Sequence, residues 1–375
     1  MLGQLNMFGQ SKVDLAIQRL RAFEPEDGYY LAFSGGKDSQ CVYHLAEMAG
    51  VAFDAHYSVT SVDPPELMRF VMEHYPKVKW EYPMYQGKRC SMWTLIADHT
   101  VPPTRMVRYC CDVLKEQHGQ GRVTVTGVRW AESQNRRKTH GVVDMRTRSK
   151  KIISEQLENN DAAKLNSRGG LIFLDDNEET RKAVEYCYQK RRTTLNPIID
   201  WDEEEVWEFL NEVAKVPHCS LYDEGFTRLG CIGCPLQGRE GMKRDFERWP
   251  RYKELYIRAF DKMIQNHPGE IRIATGQTAE PGGAEQASRN GSNGRNDARI
   301  IGRNTPPKTR TTSSDGGSEW HIDVEMVDVA HAKSGRKGRK KTGVIAARRI
   351  ERASKGDPVT TLEAFDAWLN RDEIL

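Results

Sequence analysis

No apolar run in this chain reaches the ~18 residues that a membrane-spanning helix needs, so no transmembrane segment is expected. The N-terminus, Met1-Leu2-Gly3-Gln4, lacks a basic stretch followed by an apolar one. No secretory signal is therefore expected, and the cytoplasm is the expected location. Without such a signal, 8 cysteines in 375 residues do not read as a secreted disulfide scaffold. The chain also has no cysteine after Cys234, and no acidic residue between 333 and 349. Net charge is small, +3, and says little about partners on its own. What is present is a hydrophobic content of 38%, enough for one large domain or two modest ones.

Short apolar runs alternate with amphipathic stretches. Strands are expected at 29–33, 51–59, 78–82 and 123–128, with helices at 11–27, 40–48 and 66–74. This alternation predicts an α/β fold with an open, mostly parallel sheet flanked by helices. Residues 131–170 are polar and basic and read as an irregular insertion, with a helix around 150–165. A strand at 170–174 and a helix at 179–189 follow. Asp202 is placed to cap a helix that starts at Glu203 and runs to about Val213. A cysteine loop spans 219–238, and a last helical stretch covers 241–266.

The first strand runs directly into Ser34-Gly35-Gly36-Lys37-Asp38-Ser39. Glycines permit a tight turn and close backbone approach to an anion, and the next helix points free N–H groups at the same place. Ser34 and Ser39 offer hydroxyls, Lys37 neutralises phosphate charge, and Asp38 can hold Mg2+ or orient the loop. The spacing is not that of a Walker loop. A plain Ser-Gly-Gly surface turn is the alternative reading. Arg129, at the carboxyl end of a strand, stands where open α/β sheets bind ligands, and a guanidinium there can grip a phosphate. The alternative is an ordinary strand-end residue.

Four cysteines form two tight pairs, Cys110-Cys111 and Cys231-x2-Cys234. Four thiolates suit a tetrahedral zinc ion or an iron–sulfur cubane. Adjacent cysteines point in different directions, which leans toward the larger cluster. Structural free thiols remain the third reading.

The Ser34–Ser39 loop resembles the signature of the PP-loop ATP pyrophosphatase superfamily. Within it the chain looks most like the phosphoadenosine-phosphosulfate reductase family, over roughly residues 27–250. Val62-Asp63-Pro64-Pro65-Glu66 resembles that family's segment near the nucleotide. Thr126-Gly127-Val128-Arg129-Trp130-Ala131-Glu132-Ser133 resembles its second nucleotide motif, with Arg136 or Arg137 as the downstream arginine. The resemblance implies an adenine nucleotide alpha hydrolase-like fold, and it implies a nucleotide held by Ser34 to Ser39, Asp63, Gly127, Arg129 and Arg136. Lys37, Asp38 and Arg129 would take the catalytic roles. The segments Arg108 to Lys115 and Leu221 to Pro235 resemble those of cluster-bearing members. They imply a [4Fe-4S] cluster on Cys110, Cys111, Cys231 and Cys234.

The chain departs from the reductases in one respect. They resemble one another in a further catalytic cysteine near the C-terminus, and here none follows Cys234. The expected function is accordingly ATP- and Mg2+-dependent adenylation of a substrate with pyrophosphate release. Sulfur would follow, from a sulfur-donor protein, with nucleic acid as a candidate acceptor. Reduction of a sulfonucleotide, or nucleotide binding by a subunit without turnover, are the alternatives.

We expect one domain over 1–270, a low-complexity linker over 271–318 and a small basic segment over 319–375. The composition turns to Gly, Ser, Thr, Asn and Pro at about 274, which predicts disorder over 274–318. One strand is expected within 321–329, and a short amphipathic helix at 361–369 carries Phe365 and Trp368. Between them, Lys333, Arg336, Lys337, Arg339, Lys340, Lys341, Arg348 and Arg349 predict a contact with DNA or RNA phosphates. A solubilising tail or a docking arm for an acidic protein is the alternative.

Overall fold

The computed structural model describes residues 9–119, 121–147, 149–166, 169–187, 193–267, 272–273, 322–327, 345–350, 365–366 and 368–369. Helix α1 (Lys12–Ala22) is closed at its start by a capping box between Ser11 and Asp14. It stops before the expected residue 27 because Pro25 disfavours helical backbone at the preceding Glu24. Then come β1 (Tyr29–Ala32), α2 (Lys37–Ala49), β2 (Phe53–Ser58), α3 (Pro65–His74) and β3 (Lys79–Glu81). A hairpin of β4 (Met84–Tyr85) and β5 (Lys88–Arg89) leads to α4 (Met92–Asp98), α5 (Tyr109–Leu114) and β6 (Thr124–Val125).

Segment 131–170 is not the irregular insertion that its polarity suggested. It forms α6 (Gln134–Thr139), β7 (Val143–Met145), α7 (Lys150–Asn159) and β8 (Ala163–Leu165), followed by β9 (Leu171–Phe173). α7 and β9 are the helix and strand expected around 150–165 and at 170–174, whereas β7 and β8, three residues each, are too short to leave a periodic pattern. β7 pairs with β10 (Thr193–Leu195), which lies after α8 (Glu178–Cys187), β9 pairs with β7, and β8 pairs with β9 at the sheet edge.

The eight strands order as β3-β2-β1-β6-β10-β7-β9-β8. Pairings from β3 to β10 are parallel, and those from β10 to β8 are antiparallel. The expected open sheet is therefore present, with an antiparallel wing built from the 141–173 region. Strands β2 and β3 lie on one side of β1, β6 and β10 on the other. The order reverses between β1 and β6, and open sheets bind ligands at such a switch point.

Asp202 caps α9 (Glu203–Glu208) in a capping box with Glu205, as its sequence position implied. A π-helical turn over Phe209–Ala214 continues it. The expected helix 241–266 is two helices, α10 (Gly238–Arg248) and α11 (Pro250–Asn266). Pro250 has no N–H to continue α10 and instead suits the first turn of α11.

Beyond α11, β11 (Arg272–Ile273), β12 (Ile322–Val327) and β13 (Ile345–Ile350) form a three-stranded antiparallel sheet. The strand expected within 321–329 is β12. Arg348 and Arg349, the last two residues of the basic run, lie on β13, paired with residues of β11 and β12. Lys333 to Lys341 and the 274–318 linker lie outside the described residues. Phe365 and Trp368 are 0% and 2% exposed and join the main core. No helix among the described residues is long and apolar enough to cross a membrane.

Candidate nucleotide site and cysteine site

The Ser34–Ser39 loop turns sharply after β1 and enters α2 at Lys37, three residues earlier than the sequence pattern suggested. Lys37, Asp38 and Ser39 thus occupy the first turn, where free backbone N–H groups and the helix dipole favour anions. Gly35 has φ +72°, and a Cβ there would lie 2.6 Å from Val71 Cγ2 on α3. Glycine is required on both counts. The Ser39 hydroxyl donates to the Gly36 carbonyl at 2.8 Å and accepts from the Ser34 N–H at 3.2 Å, which fixes the curl of the loop.

The segment after β6 approaches the same helix start. A Cβ on Gly127 would meet the Asp38 carbonyl oxygen at 2.7 Å, so only glycine allows this contact. Two residues on, Arg129 Nε donates to Asp38 Oδ1 at 2.7 Å and its Nη2 to Glu203 Oε2 at 2.8 Å. Lys37 Nζ lies 3.2 Å from Glu203 Oε1 and donates to the Thr227 carbonyl at 2.7 Å. Lys37 and Arg129 are only 3% and 2% exposed. Burial opposes the charge on Arg129, but Asp38 and Glu203 more than offset this, and its pKa is raised.

The cysteine loop closes over this cluster. The Lys37 N–H donates to the Tyr222 hydroxyl at 2.9 Å. Burial raises the Tyr222 pKa, so the phenol stays neutral. Arg136 pairs with Glu132 at 3.1 Å, and Glu132 also accepts the Arg129 N–H. Arg136 therefore supports the Arg129 turn from α6. Asp63 has its own partners. Its carboxylate accepts the Thr60 N–H at 2.7 Å, and its carbonyl accepts the Tyr252 hydroxyl at 3.0 Å. These contacts hold the turn beside Cys231, whose thiol lies 3.7 Å from Thr60 Oγ1.

Glu203, Tyr222 and Thr227 were not singled out from the sequence. Glu203 opens the run Glu203-Glu204-Glu205, which reads as ordinary first-turn acid on a helix. Nothing local marks Tyr222 or Thr227, because their role depends on a loop folding back more than 180 residues along the chain.

The four paired cysteines come from two segments that the fold brings together. Cys110 and Cys111 sit in the first turn of α5, and Cys231 and Cys234 bracket a turn with Gly233 at φ +69°. The Cys110 thiol bonds to Cys111 and is raised by it and by burial, with Cys231 and Cys234 adding to the effect. Cys111 is lowered to about 5 by Cys110 and by Arg108. Burial raises Cys234 to about 11, with Cys231 contributing. The four sulfurs thus share one electrostatic environment. Among the described residues, no three Cys, His, Asp or Glu side chains close on a single-ion position. Cys41 is fully buried in α2 and fills core.

The phosphoadenosine phosphosulfate reductase domain family matches residues 28–237. The chain belongs to that family. Its members are enzymes. An uncharacterized protein of Methanocaldococcus jannaschii is 23% identical to this family member over 241 residues, 63% of this chain and 42% of that protein. A second from the same organism is 24% identical over 235 residues, 62% of this chain and 46% of that protein. The match thus spans under half the length of either relative. An adenosine 5'-phosphosulfate reductase of Allochromatium vinosum is 33% identical over 81 residues, 20% of this chain and 31% of that enzyme. Among solved structures, the phosphoadenylyl-sulfate reductase of Candida auris, in a phosphate complex, aligns with TM-score 0.33 and 15% identity. That alignment covers 61% of this chain and 96% of that one.

Proposed function

We propose that this chain cleaves ATP between the α- and β-phosphates, transferring AMP to an acceptor oxygen that sulfur then replaces. The observation that carries this reading is the convergence of two buried cations, Lys37 and Arg129, on the first turn of α2. The acceptor oxygen bonds to the α-phosphorus, the bridge to the β-phosphate breaks, and pyrophosphate leaves with the electron pair. Lys37, Arg129 and the N–H groups of α2 stabilise the charge that gathers on it. Ser34 and Ser39 line the loop, and Gly36 and Gly127 let backbone come close. Asp38 is the carboxylate that would hold Mg2+, which neutralises phosphate charge when bound.

Cys110, Cys111, Cys231 and Cys234 fit a [4Fe-4S] cluster better than one zinc ion. A zinc ion needs thiolates converging at ~2.3 Å, whereas a cubane takes one thiolate at each of four separated irons. When bound, the cluster would supply sulfur chemistry or brace the acceptor. The basic run of 333–349 suits nucleic acid as the acceptor class, with a sulfur-donor protein as second partner.

Reduction of a sulfonucleotide is the second reading, favoured by the likeness to adenosine 5'-phosphosulfate reductases. It would need a thiol nucleophile outside the two cysteine pairs, such as Cys90 or Cys219. The two readings separate in one assay. Pyrophosphate release from ATP and Mg2+ on adding tRNA, DNA or small acceptors supports the first. Sulfite release from either sulfonucleotide with thioredoxin and no ATP turnover overturns it. ATP binding without either product would mark a nucleotide-binding subunit.

A further inference from the structure

The aromatic residues near the C-terminus return to the back of the cysteine site. Phe365 and Trp368, spaced i and i+3, fall on one face of a helical turn. The Trp368 ring stacks on Tyr256 at 5.3 Å and lies 5.3 Å from Phe260, both on α11. Phe365 lies 5.6 Å from Phe246 on α10.

Those same rings seat one cysteine pair. The Tyr256 hydroxyl donates to the Ile232 carbonyl at 3.0 Å, between Cys231 and Cys234. A Cβ on Gly233 would meet Phe246 Cζ at 2.6 Å, so the turn lies directly against that ring. The other pair is reached from the opposite edge of the indole. Trp368 Nε1 donates to the Pro103 carbonyl at 2.8 Å. Pro103 belongs to the loop that runs into Cys110, closed by the Thr104 N–H to Val107 carbonyl bond and by the Tyr109 hydroxyl on the Val101 carbonyl.

We infer that Trp368, with Phe365, is a clasp that holds the Cys110-Cys111 segment and the Cys231–Cys234 turn in register. One face of the indole packs on the helices that seat the second pair. Its N–H satisfies a carbonyl of the loop that leads to the first. Trp368 is a positioning residue, acting through Tyr256, Phe246 and Pro103 rather than touching sulfur. The role stands whatever the four thiols hold.

The test uses the full-length chain as purified. Trp368→Ala, Trp368→Phe and Phe365→Ala are compared with wild type for alkylation rate at each cysteine, read by mass spectrometry. Release of any bound iron to a chelator is followed in parallel. Trp368→Ala should speed alkylation of both pairs, and iron release where iron is present, by at least ~10-fold, as local opening is favoured. Trp368→Phe keeps a ring but loses the bond to Pro103, so it should loosen Cys110 and Cys111 more than Cys231 and Cys234. Cys41, buried in α2, reports global unfolding. Wild-type rates at all four cysteines in Trp368→Ala would overturn the clasp. So would Cys41 reacting in step with them, because the residue would then support the fold as a whole. Wild-type protein without iron or sulfide would remove the cluster reading and leave this inference standing on the alkylation rates.

Discussion

Glu203 Oε2 lies 2.8 Å from Arg129 Nη2, while the second oxygen of the same carboxylate lies 3.2 Å from Lys37 Nζ. One side chain thus bridges both buried cations that the proposed site would aim at phosphate. The Glu203 side chain is itself 52% exposed, so water screens its share of the attraction and it can swing aside at modest cost. An incoming phosphate competes with it for the same two partners.

Glu203→Gln should therefore strengthen binding of pyrophosphate and ATP, by roughly 3- to 10-fold at low salt and less as salt rises. Calorimetric titration at two ionic strengths reads both effects. Weaker binding in Glu203→Gln would mean that the carboxylate helps to hold the ligand or its metal.

Lys37→Ala removes the cation at the first turn of α2 and should weaken ATP binding by at least ~10-fold. The Tyr222 contact to the Lys37 N–H is a backbone one and survives the change. Unchanged ATP affinity would remove the loop from the nucleotide site.

Much of this was legible in the sequence because the signals were local. A strand running into two glycines, a lysine and a serine marks a strand–turn–helix junction within ten residues, and β1 and α2 flank it. The Asp202 cap and both cysteine pairs are equally compact. What escaped was long-range. β7 and β8 are strands only because they pair with neighbours, and three residues each are too few to establish a period. Glu203 matters through Lys37 and Arg129, each far away along the chain. Asp63 was grouped with the nucleotide residues by its place in a motif, and its link through Thr60 to Cys231 is a contact that the motif alone does not show.

Gly127→Ala should cost about 1–3 kcal/mol, since the added methyl meets the Asp38 carbonyl at 2.7 Å and backbone must shift. Thermal melting measures this loss. Gly121→Ala is not a matching control, because Gly121 has φ +82°. Gly230→Ala, with open space around its Cβ, is the suitable one and should melt near wild type.

Anaerobically purified protein should be brown and carry roughly four irons per chain, and serine at Cys110, Cys111, Cys231 or Cys234 should deplete them. Cys41→Ser should leave the iron in place. Stoichiometric zinc without acid-labile sulfide would replace the cluster with a different metal.

Deletion of 333–341, which leaves β13 intact, should weaken DNA or RNA binding and flatten its dependence on salt, because phosphate contacts release counterions. ATP affinity and iron content should persist. Full-length protein with no salt-dependent retention on either nucleic acid would rule out this role.

Phe365 and Phe260 lie 5.8 Å apart, so the chain comes back to the helix it left a few residues after Phe260. Everything between His267 and Phe365 is thus an excursion with both ends anchored on the same helix. A protease that cuts within it would not shed the C-terminal piece at once. The severed fragment would stay lodged by two buried aromatic side chains, each contributing on the order of 2–3 kcal/mol. Such a nicked molecule would run as two bands on a denaturing gel and as one species on a sizing column.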